Sequence, residues 1–100
     1  MGMKTLIVSE TGVGEELWGQ VSGLLREFGV ERAVLFGSRA RGDFTDASDI
    51  DIAIWVQVDE AGLWAAMEQL PTIHKIDVVN YDSLENEFFR QNILRDGVEV

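Results

Sequence analysis

The chain has no cysteine, one proline, one histidine and one tyrosine in 100 residues. Without cysteine there is no disulfide and no thiolate zinc site. A single histidine, His74, cannot build a histidine metal cluster, and its expected place is the surface at the start of a strand. With one proline and no low-complexity tract, no segment reads as a linker, and no internal repeat is visible. Basic residues are scarce: eight Lys and Arg stand against eighteen Asp and Glu, a formal charge of −10. Proteins that grip a nucleic acid backbone need a basic footprint to neutralise phosphates. Long nucleic acid is therefore not an expected partner, whereas a mononucleotide needs only two or three local cations and a metal. Long hydrophobic runs are missing too. Leu6-Ile7-Val8 is too short for a signal peptide or a membrane span, so a cytoplasmic location is the expectation.

What is present suits one domain with a single modest core, at 46% apolar residues. Leu17, Val21, Leu24, Leu25 and Phe28 recur at helical spacing over 14–28, and Gly29 stands where a left-handed cap belongs. Residues 32–36 read as a buried strand, 38–43 as a turn opening a brief helix, and 50–58 as a second, β-branched strand. Asp59 suits the N-cap of a helix bearing Leu63, Met67 and Leu70, stopped by Pro71. Residues 73–80 form a third strand candidate. Ser83 then caps a last helix with Leu84, Phe88, Phe89 and Leu94, ended by Gly97. Such alternation predicts a small α/β sheet with helices packed on it.

The stretch LFGSRARGDFTDASDIDIAIW, residues 35–55, concentrates the chemistry. Side chains alternate along a strand, so Ile50, Ile52 and Ile54 face the core while Asp49 and Asp51 share the other face. Their Cα atoms fall roughly 6–7 Å apart. Carboxylates that close repel one another, and a divalent cation supplies the missing positive charge. The spacing also suits a pair of ions about 3.5–4 Å apart. Asp77, embedded in the apolar strand Lys75-Ile76-Asp77-Val78-Val79, is the candidate third ligand from a neighbouring strand. Two plainer readings stand beside this one: Asp49 as a turn cap, and Asp77 as a partner of Lys75.

Gly37-Ser38 ends a strand where backbone N–H groups can meet an anion, and the Ser38 hydroxyl adds a donor. Arg39 and Arg41 fall beside the turn, and arginine forks match phosphate oxygens. Alternatively, they pair with Asp43 or Asp46. Thr11-Gly12-Val13-Gly14 hints at a phosphate loop but lacks the third glycine and the lysine. It reads as a flexible lead-in, with residues 1–13 preceding a single domain over 14–100. Trp18 and Trp64 follow core positions on their helices and are expected at the edge of the buried stripe, against the sheet rim or a partner. Trp55 shares the face of the two aspartates. Phe88 and Phe89 are adjacent and cannot both be buried equally well.

Gly37-Ser38, ten residues, then Asp49-Ile50-Asp51 resembles the signature of the polymerase-β-like nucleotidyltransferase superfamily. The string GSRARGDFTDASDIDIAI is similar to the minimal nucleotidyltransferases (MNT, or MntA-like proteins), over nearly the whole chain from about Gly14. The resemblance implies an α/β (α+β) fold, a small mixed three-stranded core sheet flanked by helices, as in the polymerase-β-like palm. It implies transfer of a nucleoside monophosphate, AMP from ATP in the expected case, with pyrophosphate leaving. Asp49, Asp51 and Asp77 would then ligate Mg²⁺, two ions in the expected case, with Asp77 also helping to activate the attacking hydroxyl. Gly37 and Ser38 would hold the β- and γ-phosphates, with Arg39 and Arg41 beside them at positions where the family's motif varies. Such proteins are typically encoded beside a HEPN-domain partner, and some act as antitoxins that adenylylate a tyrosine of that toxin. Larger relatives hold the acceptor in an extra helical domain, so here the acceptor is expected on another chain; homo-oligomerisation stays open. The rival reading is a non-catalytic scaffold for a HEPN protein. Antibiotic nucleotidylation, a third, lacks acceptor-domain residues.

Overall fold

The computed structural model describes residues 3–55 and 60–100. Their order is β1 (Lys4–Thr5), α1 (Glu15–Glu27), β2 (Ala33–Phe36), α2 (Ser38–Arg41), β3 (Ile50–Ile54), α3 (Glu60–Glu68), β4 (Ile76–Asn80), α4 (Glu87–Asp96) and β5 (Val98–Glu99). The fold is mixed α/β, and the sheet has five strands, ordered β1-β5-β2-β3-β4. This corrects the expected three. Two-residue strands show no periodicity of their own, and β1 and β5 form only because they pair with each other and β5 with β2. The β2–β3 pair is antiparallel and the β3–β4 pair parallel, with α3 between the parallel strands.

The alternation read from the sequence sets the two faces. Leu35, Ile50, Ile52, Ile54, Ile76 and Val78 join Val21 and Leu25 of α1 and Leu63 and Met67 of α3 in the main core. The other face buries Val34 and Ala53 against Ile93 of α4 and Tyr81. Helix α1 ends as its sequence suggests, followed by Gly29 at φ +77°.

Two boundaries move. Strand β4 begins at Ile76 rather than 73, and Ile73 is 96% exposed because the chain is still outside the sheet there. Helix α4 starts at Glu87, capped by the Asn86 side chain accepting from Phe89 N, whereas Ser83 ends a 3-10 turn from Tyr81. The expected continuation of β3 to residue 58 and the Asp59 cap lie outside the described residues.

The N-terminal segment is packed rather than loose. Strand β1 is part of the sheet, Thr11 and Val13 are buried, and the Thr11 hydroxyl donates to Val8 O at 2.7 Å. It also accepts from Val13 N and from the Trp18 indole. Trp18 is accordingly 3% exposed, not at the rim of the core, because its N–H has a buried partner. Trp64 lies at the surface, as expected, and donates to Val78 O on the open edge of β4. Among the described residues no helix is long and apolar enough to cross a membrane.

Candidate functional site

The acids meet at one end of the sheet. Asp51, second residue of β3, lies in register with Asp77 of β4 on one side and with Phe36 of β2 on the other. Asp49 stands just ahead of β3, where Ile50 N bonds to Lys75 O and fixes the start of one strand against the other. The result is a cluster in which one carboxylate oxygen each from Asp49, Asp51 and Asp77 lies within 4.8 Å of the others. Asp51 and Asp77 are both half-buried.

Burial pushes the Asp51 carboxyl above its usual 3.8, and the charges of Asp77 and then Asp49 push the same way. Lys75 and Arg41 oppose them weakly. Asp77 does pair with Lys75, at 3.7 Å, so the plainer reading of that residue also holds. A lysine side chain that is 67% exposed does not neutralise three acids. An all-carboxylate donor set of this kind fits a hard divalent cation.

Directly beside the acids, Phe36 leads into Gly37 at φ +77°, and the backbone turns into α2. A Cβ built on Gly37 would stand 2.6 Å from Asp51 Oδ2, so glycine is needed both for the turn and for the approach. Past Gly37 lies a cleft of about 190 Å³ lined by Phe36, Gly37, Arg41, Phe89, Asn92 and Asp96. Two larger clefts, of about 410 and 380 Å³, lie along β1 and β5 behind α2, and no acid of the cluster lines either.

The family model described as "Polymerase beta, Nucleotidyltransferase" matches residues 20–100. The chain belongs to this nucleotidyltransferase family. A Methanocaldococcus jannaschii protein named "Putative protein adenylyltransferase" is 33% identical to it over 82 residues, 74% of this chain and 80% of the relative.

In this nucleotidyltransferase the two arginines of the turn part company. Arg41 stays at the surface, its Nε 3.3 Å from Asp43 and its Nη1 3.3 Å from Asp96. Asp96 also takes Arg95, and these contacts, Arg95 first, hold its carboxyl below the usual range. Arg39 is 2% exposed and turned inward. Its guanidinium donates to the carbonyls of Thr11, Thr45, Asp46 and Ser48, and lies 5.0 Å from the Phe44 ring centroid. That geometry differs from the expected phosphate contact, because carbonyls of its own chain surround the fork. His74 is half-buried, with Nδ1 3.3 Å from Arg39 Nη2.

Sequence reasoning missed Phe89 and Asp96 as neighbours of the turn. Phe89 packs edge-on to Phe36, centroids 5.7 Å apart, leaving Phe88 80% exposed. Both residues come from α4, remote in sequence from the Gly-Ser turn. Trp55 shares the aspartate face, as expected, packing with Ala53 and Tyr81, but at the other end of β3, where it stacks on Tyr81 beneath Arg32.

Proposed function

We propose that this nucleotidyltransferase transfers AMP from ATP to a hydroxyl on a partner protein, with a tyrosine of a HEPN-domain toxin as the acceptor to test first. The observation that carries the reading is the gathering of three carboxylates within 4.8 Å beside the Gly37 turn. The relative's printed name supports a protein as acceptor. Asp49, Asp51 and Asp77 would hold divalent magnesium, which when bound supplies the positive charge that triphosphate and departing pyrophosphate require.

The chain's own groups have distinct tasks. Backbone N–H groups after Gly37, the Ser38 hydroxyl and Arg41 receive the β- and γ-phosphates. The acceptor hydroxyl oxygen attacks the α-phosphorus, and the bond from that phosphorus to the oxygen bridging the β-phosphate breaks. Pyrophosphate leaves, and the proton of the hydroxyl passes to Asp77 at the edge strand. Asp51, between the turn and Asp77, orders both halves of the site.

The test is incubation with Mg²⁺, labelled ATP and the candidate HEPN protein, followed by mass analysis of both chains. AMP on a tyrosine of the partner, lost in Asp51→Asn, is the expected result. A complex that forms equally with Asp51→Asn, with no Mg·ATP binding by calorimetry, would instead establish the scaffold reading.

A further inference from the structure

We propose that Arg39 is the positioning residue of the acid cluster: it ties the segments delivering Asp49 and Asp77 to the helix that follows Gly37. The inference rests on the reading that these acids hold a divalent cation. Arg39 touches none of the three carboxylates. It acts on the backbone that carries them.

Three segments converge on its fork. Nε and Nη2 both donate to Ser48 O, at 3.2 and 3.1 Å, and that carbonyl belongs to the peptide unit leading into Asp49. Nη2 is shared further with Thr45 O at 3.3 Å and Asp46 O at 3.4 Å, so the whole 45–48 turn wraps one nitrogen. His74 Nδ1 lies 3.3 Å from the same Nη2, three residues ahead of Asp77. Arginine only donates, so in a hydrogen bond between the two the imidazole Nδ1 is the acceptor, sharing the Nη2 hydrogens with the carbonyls of the 45–48 turn. Nη1 reaches the opposite way, to Thr11 O at 2.8 Å, anchoring the fork to the N-terminal segment.

The chemistry explains why arginine is needed. A planar fork addresses several carbonyls in fixed directions, whereas a lysine ammonium is one point on a flexible stem. Burying a cation among carbonyls with no carboxylate partner is expensive, and the hydrogen bonds must all be made to offset it. A side chain so committed fixes loop positions sharply. The 45–48 turn has no regular secondary structure to hold it, and its internal bonds are Thr45 N to Ser48 Oγ, Ser48 N to Thr45 O and Ala47 N to Thr45 Oγ1. Groups hydrogen-bonded directly to metal ligands change metal affinity about 10–100-fold when removed, and a group that acts through the backbone belongs at the lower end of that range.

Manganese titration with the free ion read by EPR tests this, at a temperature where circular dichroism shows each variant folded. We expect wild type to bind Mn²⁺, Arg39→Lys to bind about tenfold more weakly, and Arg39→Ala to weaken further. Millimolar guanidinium, but not ammonium, should restore binding to Arg39→Ala. Were Arg39→Lys to match wild type, or ammonium to restore Arg39→Ala as well as guanidinium does, the positioning role would be overturned. Wild type that takes up no Mn²⁺ overturns the metal reading, and this one with it. If Arg39→Lys does not fold, His74→Ala replaces it. Loss of that one acceptor should weaken Mn²⁺ binding measurably, and an unchanged affinity overturns the proposal.

Discussion

The Asp51 carboxylate lies so close to the Gly37 backbone that a methyl group there would stand 2.6 Å from Oδ2. The strand residue that would bind metal and the turn that would bind phosphate are thus in direct contact.

Gly37→Ala therefore has two costs. The left-handed φ of +77° is strained for any side chain, by about 1–3 kcal/mol, and the new methyl displaces Asp51. We expect a lower unfolding midpoint in urea together with weakened Mn²⁺ binding. A variant that unfolds earlier yet binds Mn²⁺ like wild type would show that the contact is only structural.

Asp51→Asn separates function from folding in the opposite direction. The amide removes a charge that burial and two neighbouring acids disfavour, while the apolar face of β3 is untouched. The metal-free variant should melt higher than wild type. Transfer should fall by about 10²–10³-fold or more, read as AMP incorporation. Wild-type transfer in Asp51→Asn would end the catalytic proposal.

The same carboxyl sets a pH dependence. Its folded value is raised above 3.8, so its contribution to stability is fully present below 3.8 and is lost as pH rises through the folded value. In metal-free protein the melting advantage of Asp51→Asn over wild type should be widest at neutral pH. It should close as pH approaches 3.8. Mg²⁺ should reverse the sign, since the ion requires the ionised carboxylate and its affinity falls with pH over that window. A melting difference that is flat with pH would mean Asp51 is not perturbed.

Thr11→Val addresses the N-terminal segment. The hydroxyl accepts from the Trp18 indole at 3.0 Å and from Val13 N at 3.2 Å, and Thr11 is 2% exposed. Valine keeps the shape and leaves both buried donors unpaired, a loss of about 2 kcal/mol. For a domain of this size that lowers Tm by about 8–16 °C. An unchanged Tm would mean that water or a rearranged indole replaces the hydroxyl.

Much of this protein was written locally. Helical spacing with Gly29 behind it fixed α1, and strict alternation in Ile50-Asp51-Ile52 sorted acids from core because a strand has only two faces. Gly37-Ser38 and the two aspartates marked the family, later shown by the match over residues 20–100. Each of these signals lies within one element or one turn. Tertiary structure decided the rest. Strands β1 and β5 exist only through partners far along the chain. The meeting of Asp51 with Asp77 needed the parallel register of β3 and β4, which spacing in sequence does not specify. Arg39 and Arg41, two residues apart, had equal claims on a phosphate, yet one faces solvent and the other is sealed among carbonyls. Composition treats the two guanidinium groups alike. Only the packing of distant loops determines which carbonyls each one meets.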